Sequence, residues 1–314
     1  MRVAVTCLQL IRDLDGYRDA MTTAGLDVVV PEVPGQHLEG RALVDGLAGC
    51  VGVVAGDDQY TAEVLAELPD LRVISKWGIG IDGIDREAAA ARGITVTNTP
   101  GAFNDEVADV SMGYVIALCR DLVRIDREVR AGRWHKPPGR SLRGMTLGII
   151  ALGGIGRALI PRALASGMEV IGFDPTPESQ AAARELGAEI VELDELLSRS
   201  EVISVNAPLT PATHHLLDDR AFGLVSPGTL LVNTGRGGVV DTAALVRALD
   251  AGTIAATAVD VLEEEPPGPD HPLRSFEQVV FGSHNASNTM EASARVHVMA
   301  IRNLAASLDL ELEL

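Results

Sequence analysis

Short runs rich in β-branched residues alternate with Ala-, Leu-, Glu- and Arg-rich stretches of about ten to fifteen residues along most of the chain. That alternation leaves few folds open, because a strand that leaves its sheet through a helix returns as a parallel neighbour. Predicted strands form two sets, 2–6, 27–30, 51–55, 71–75 and 95–98, then 146–151, 169–173, 189–191, 202–206, 229–233, 255–261 and 279–282. Two α/β units, each a doubly wound parallel sheet, are therefore expected, which suits 314 residues. Between the sets Val107, Val110, Tyr114, Leu118, Leu122, Ile125 and Val129 recur at steps of three or four, predicting one long helix over 105–130. Such a helix either lies between the domains or also packs on a second subunit. Residues 132–143 carry Pro and Gly without periodicity and read as a loop. Residues 289–308 are helical again, with no pattern that says which unit they cover.

Charge narrows the partners. With 26 Lys and Arg against 44 Asp and Glu the net charge is −18, so DNA, RNA and anionic membranes are poor partners, and no basic run offsets this. Two Trp, three Tyr and five Phe are too few for a base-stacking platform. Cys7, Cys50 and Cys119 form no disulfide framework and no paired metal motif, which points to a reducing compartment. The chain opens directly into a strand, so no secretory leader is expected. Its most apolar window, 147–155, is broken by glycine and flanked by Arg143 and Arg157, well short of the ~20 residues of a spanning helix. A cytoplasmic protein acting on a small molecule is the expectation.

The second unit carries a fingerprint. A strand over 146–151 runs into Gly153-Gly154-Ile155-Gly156 and then a helix, and Asp174 stands at the end of the next strand. Strand, glycine turn, helix and terminal acid at this interval form a dinucleotide site. Gly153 lets the backbone approach a pyrophosphate at the helix N-terminus, Gly156 permits close helix-to-strand packing, and Asp174 accepts from a ribose diol. The first glycine position is occupied by Ala151, which enters a tight turn only where φ stays negative. Asp174 would repel a 2′-phosphate, so NAD is the predicted cofactor.

Three further residues follow strands of this unit, on the edge where open α/β sheets bind ligands. Arg236 lies in Asn-Thr-Gly-Arg-Gly-Gly, whose glycines leave its guanidinium uncrowded; Glu265 lies in Glu-Glu-Glu-Pro-Pro; His284 lies in Ser-His-Asn-Ala. Singly, each is commonplace. Together they match reduction of a 2-oxo acid, in which Arg forks onto a carboxylate and His donates a proton. A carboxylate such as Glu265 beside His284 favours imidazolium. No metal-ligand spacing is present, so no metal is expected.

In order and spacing, Gly153-Gly-Ile-Gly-Arg157, Asn233-Thr-Gly-Arg-Gly-Gly-Val-Val-Asp241, Asp260-Val-Leu-Glu-Glu-Glu-Pro266 and Ser283-His-Asn-Ala-Ser-Asn-Thr289 resemble the D-isomer-specific 2-hydroxyacid dehydrogenases. So do Lys76-Trp-Gly-Ile-Gly-Ile-Asp-Gly-Ile-Asp85 and Gly93-Ile-Thr-Val-Thr-Asn-Thr-Pro-Gly101. The resemblance implies two Rossmann-like or flavodoxin-like doubly wound domains, an NAD-binding Rossmann domain over 100–286 being inserted into a substrate domain built from 1–99 and 287–314. It implies Arg236 on the substrate, Glu265 paired with the acid/base His284, and backbone groups of Ile79 and Gly80 on the substrate carboxylate. NAD would be lined by Gly153, Gly154, Ile155, Gly156, Asp174, Pro175, Asn206, Ala207, Pro208, Thr213, Thr234, Gly235, Asp260, His284 and Ala286, with Asp260 on the nicotinamide amide. Homodimers joined through the cofactor domain are typical of such enzymes, which favours the intersubunit role for the 105–130 helix. Departures from the family pattern are Ala151 for Gly, Gly235 where Ala is common and Ser283 where Pro is common.

Lys76 and the glycine loop after it are most similar to D-3-phosphoglycerate dehydrogenases, where a Lys would meet a substrate phosphate as a point charge. With no extension after Leu314, that group's C-terminal regulatory module is not expected. Hydroxypyruvate, glyoxylate or a phosphonate-bearing oxo acid are alternative substrates. Two other classes share the scaffold. One is an NAD-sensing corepressor like the C-terminal binding proteins, and the other is a hydrolase that retains NAD.

Overall fold

The structure is a computed structural model that describes residues 1–314. The chain divides into two compact units, Met1–Ala102 with Thr289–Leu314, and Phe103–Asn288.

The first unit is a five-stranded parallel sheet of β1 (Arg2–Val5), β2 (Asp27–Val29), β3 (Gly52–Ala55), β4 (Val73–Lys76) and β5 (Thr95–Thr97), in the order β2-β1-β3-β4-β5. This is the flavodoxin-like order. β3 and β4 are buried throughout, as strands covered on both faces must be. The helix Met290–Ser307 returns to this sheet, the choice that its periodicity left open. Thr289 caps it by accepting from Ala292 N–H. Its Ala300 carbonyl accepts from the Ser75 hydroxyl at 2.8 Å, and Leu304 occupies the space that a side chain at Gly52 would fill.

The second unit is a seven-stranded parallel sheet of β6 (Thr146–Ile150), β7 (Glu169–Phe173), β8 (Glu189–Ile190), β9 (Val202–Val205), β10 (Thr229–Asn233), β11 (Ile254–Val259) and β12 (Val279–Phe281). Its order, β12-β11-β10-β9-β6-β7-β8, is the doubly wound Rossmann order with one strand added at the edge. Alternation along β10 shows the layering: Leu230 and Val232 enter the core with Leu147, Ile149 and Met112, while Leu231 enters the opposite core with Leu196, Leu245 and Val239. Between β6 and β9 the connections reverse direction, and the C-terminal ends of all seven strands share one edge.

The long helix is a correction. It is two helices, Asn104–Arg120 and Leu122–Arg130, broken at Asp121, which adopts φ 55 and ψ 33. Asp121 N–H closes the first helix by donating to Ala117 and Leu118 carbonyls, and the Cys119 carbonyl takes the N–H of Arg140 from the loop that follows. A left-handed residue redirects the chain without changing the apolar spacing, so periodicity ran through the break. The shorter helix buries none of its residues, and Leu122, Val123 and Val129 are exposed.

Candidate active site

Every site residue of the second unit lies past the C-terminal end of a strand, starting with the glycine turn after β6. Gly153 precedes the helix Gly154–Ala165, which has no side-chain cap, so the unpaired N–H groups of its first turn remain for a ligand. A Cβ at Gly153 would meet no atom within 4 Å, so packing within the protein does not require glycine there, whereas backbone approach to a pyrophosphate would. Gly156 differs: its Cβ would fall 2.2 Å from the Ala151 carbonyl oxygen, which makes it the contact between helix and strand. A side chain at Gly154 would collide with Asn104. Ile155 lies between these two contacts, in the uncapped first turn.

Ala151 overturns the expectation of a negative φ. Its φ is 72. Ala151 N–H donates to the Phe173 carbonyl at 2.9 Å, and the next amide, Leu152 N–H, donates to Asp174 Oδ2 at 2.8 Å. Consecutive amides of an extended strand point in opposite directions, so directing both toward β7 requires a left-handed residue at Ala151. Asp174, before Pro175, also accepts from Thr176 N–H at 2.8 Å. Both carboxylate oxygens thus brace the turn, and each keeps a lone pair for a ribose hydroxyl. Open glycine, uncapped helix and buried acid suit NAD.

After β9 and β10 the polar side chains join in series. Thr234 Oγ1 lies 2.8 Å from Ser111 Oγ and donates to Asn206 Oδ1 at 3.2 Å. A Cβ at Gly235 would sit 2.7 Å from the Ala207 carbonyl oxygen, and Thr213 Oγ1 donates to the Pro208 carbonyl at 2.6 Å. Arg236 is half-buried, with Nη1 donating to the Gly235 carbonyl at 2.9 Å. Its flanking glycines have a further reason beyond room for the guanidinium, since a Cβ at either would strike neighbouring backbone. A side chain at Gly237 would strike Leu262 C at 1.9 Å, so that glycine draws the Arg236 turn against the loop that carries Glu265.

The structure brings His284 and Glu265 together: His284 Nδ1 lies 2.7 Å from Glu265 Oε2. Leu262 N–H fixes the other oxygen at 2.8 Å. Neighbouring Glu263 is tied to His215 at 2.6 Å and to Thr242 N–H at 2.9 Å, so the acidic loop is held at both ends. His284 itself has φ 54. Its N–H donates to the Asp260 carbonyl at 2.7 Å, while the Asp260 carboxylate accepts from Ala286 N–H at 2.9 Å and Asn285 N–H at 3.3 Å. Asp260 therefore shapes the turn that presents His284. Sequence reasoning missed Tyr114, whose hydroxyl donates to Asp260 Oδ1 at 3.2 Å. It reads as one apolar position in a helical stripe, but a half-buried phenol needs a partner, and the buried Asp260 supplies one. Burial and then the Asp260 charge hold the Tyr114 phenol above its ordinary range, so it stays a donor. Asn104 and Ser111 were also missed, and only contact across the fold reveals them.

In the first unit, Lys76 ends β4 and is buried. Its Nζ donates to Asp57 Oδ1 at 3.0 Å and to the Trp77 carbonyl at 2.9 Å. Gly78, at φ 128, opens the loop that contains Ile79 and Gly80. The Gly78 carbonyl accepts from Thr99 N–H at 3.0 Å, and the Ile79 carbonyl accepts from Asn98 Nδ2 at 2.7 Å. In a trans peptide C=O and N–H point opposite ways, so these bonds aim the Ile79 and Gly80 amides away from the protein groups that anchor them. Neither amide donates to a backbone carbonyl. Nowhere do three or more His, Cys, Asp or Glu converge as metal ligands, and no helix is long and apolar enough to cross a membrane.

Comparisons with known proteins identify the family. Residues 112–286 match the family described as D-isomer specific 2-hydroxyacid dehydrogenase, NAD binding domain. A glyoxylate reductase of Thermofilum pendens is 40% identical over 257 residues, 80% of this chain and 76% of that protein. A D-3-phosphoglycerate dehydrogenase of Archaeoglobus fulgidus is 38% identical over 254 residues, 80% of this chain but 48% of its own length. The crystal structure of the TT0316 protein from Thermus thermophilus superposes with a TM-score of 0.85 at 35% identity, covering 98% of this chain and 97% of that one.

Proposed function

The chain belongs to the D-isomer-specific 2-hydroxyacid dehydrogenases, NAD-dependent oxidoreductases, and from that premise we propose that it reduces a small 2-oxo acid without a phosphate group, of the size of glyoxylate or hydroxypyruvate, to the D-2-hydroxy acid. The contact between His284 Nδ1 and Glu265 Oε2 at 2.7 Å carries this reading. Glu265 fixes the proton on Nδ1 and stabilises imidazolium, which leaves Nε2 to hand its proton to the C2 oxygen. The Arg236 guanidinium polarises that carbonyl, and the Ile79 and Gly80 amides hold the carboxylate. When bound, the cofactor would supply the hydride as NADH in this direction and accept it as NAD⁺ in reverse. Asp174 and the Gly153–Gly156 turn would hold its adenosine half, Asn206 and Thr234 would line it, and Asp260 would meet the nicotinamide amide.

Lys76 argues against a phosphorylated substrate. Its ammonium is already neutralised by Asp57 and held by the Trp77 carbonyl, so a phosphate would have to displace a carboxylate at 3.0 Å. A panel of glyoxylate, hydroxypyruvate and 3-phosphohydroxypyruvate followed by NADH absorbance tests this, with wild type beside Lys76→Ala. The two unphosphorylated acids should give the higher kcat/KM. A preference for 3-phosphohydroxypyruvate that Lys76→Ala abolishes would overturn the assignment. The exposed residues of Leu122–Arg130, with Trp134 79% exposed, support assembly as a homodimer through the cofactor unit.

A further inference from the structure

Trp77 immediately precedes the loop whose Ile79 and Gly80 amides take the substrate carboxylate. It is buried, and its indole N–H donates to Nδ1 of His297 at 2.8 Å, the two rings lying 5.8 Å apart. His297 projects from the returning helix Met290–Ser307 and is 1% exposed. Its Nε2 lies 3.1 Å from Asp13 Oδ2, and the Tyr17 ring meets it edge-on at 5.5 Å. An indole N–H only donates, so Nδ1 must be the bare acceptor nitrogen and the ring proton sits on Nε2, facing the Asp13 carboxylate. Both nitrogens are thereby satisfied in one tautomer and one ring orientation. The other tautomer would set Nδ1–H against the indole N–H, and a flipped ring would put the carbon Cδ2 there; either leaves a buried donor without a partner, which costs more than the bond itself contributes.

We propose that His297, oriented by Asp13, is a positioning residue for substrate binding: it locks the Trp77 ring and through it the backbone that presents the Ile79 and Gly80 amides. The inference rests on the carboxylate-binding reading of those amides. Main-chain bonds hold the loop as well: the Trp77, Gly78 and Ile79 carbonyls accept from Lys76 Nζ, Thr99 N–H and Asn98 Nδ2. Trp77 N–H reaches the Ala55 carbonyl at 2.9 Å, and Gly78 N–H reaches Thr99 Oγ1 at 3.2 Å. Gly78, at φ 128 and bonded through both its N–H and its carbonyl to Thr99, is a fixed joint between β4 and the loop, and the Trp77 side chain anchored on His297 holds the strand side of that joint. The tail of the chain, 220 residues away from Trp77, thus sets the geometry of a loop it does not belong to.

Steady-state kinetics of the intact enzyme with NADH and glyoxylate test the proposal. Trp77→Phe keeps the ring and deletes the donor, and His297→Leu deletes the acceptor. Each should raise KM for glyoxylate about five- to tenfold while kcat stays within about twofold and KM for NADH is unchanged. His297→Asn, whose amide oxygen takes the place of Nδ1, should recover most of the loss. In the ¹⁵N–¹H spectrum the Trp77 indole signal, identified by its absence in Trp77→Phe, should move in His297→Leu and return in His297→Asn. Wild-type KM in Trp77→Phe, or a loss shared equally by kcat and both KM values, would overturn the proposal. Gly80→Pro, which removes one of the two amide donors, separates the premise from the inference. If it leaves KM unchanged, the carboxylate reading fails and takes the inference with it; if it raises KM while Trp77→Phe does not, only the role of His297 fails.

Discussion

Two residues of the site stand in the left-handed region without being glycine, Ala151 at φ 72 and His284 at φ 54. Such a conformation costs on the order of 1–2 kcal/mol for an L residue with a Cβ, and it persists where neighbouring bonds over-determine it. At His284 those bonds are its own N–H to Asp260 and the two amides that follow it to the Asp260 carboxylate, so the strain goes with a fixed presentation of the His284 ring. At Ala151 they are the consecutive bonds to Phe173 and Asp174, and the side chain itself makes no polar contact. Ala151→Gly should therefore stabilise the protein, by about 0.5–1 kcal/mol after the added chain entropy of glycine is subtracted. Thermal unfolding measures it: the expected result is a rise of roughly 1–3 °C with KM for NADH unchanged. A fall in melting temperature would show that the left-handed turn carries no strain.

At the scale of elements, what could be read from sequence followed how local its cause was. All twelve strands were legible because short β-branched runs bounded by turns are a local signal, and the glycine turn was legible because strand, glycines, helix and terminal acid follow one another within a short stretch of chain, although only Gly156 among its glycines answers a backbone contact. The break at Asp121 was not, since it depends on the Cys119 carbonyl finding Arg140 N–H across a loop. The partnership of His284 and Glu265 could be inferred only as a chemical set, whereas Tyr114, Ser111, Asn104 and His297 carry no signal outside the contacts they make. The short helix Leu122–Arg130 follows the same logic in reverse, because a stripe of Leu122, Ile125 and Val129 with nothing buried beneath it in the chain asks for a partner. A Leu122→Asp, Val129→Asp variant should elute as a monomer in size-exclusion chromatography with light scattering, beside a dimeric wild type. A variant that stays dimeric would move the interface elsewhere.

For the whole molecule, the net charge of −18 argues against polyanions and would by itself disfavour an anionic substrate as well. The positive groups that answer this are local: the Arg236 guanidinium, the uncapped helix at Gly154 and the free amides of Ile79 and Gly80. Lys76 does not join them, because Asp57 already holds it. On the proposed reading, the chain contributes one proton, from His284, and one cation, Arg236, to the reaction. The most direct measurement is the rate of NADH oxidation with glyoxylate at saturating substrate for wild type and His284→Ala. Loss of a positioned acid costs about 10²- to 10⁴-fold, so kcat should fall at least a hundredfold with KM for NADH unchanged. Equal rates for the two proteins would contradict the assignment of His284 as the proton donor.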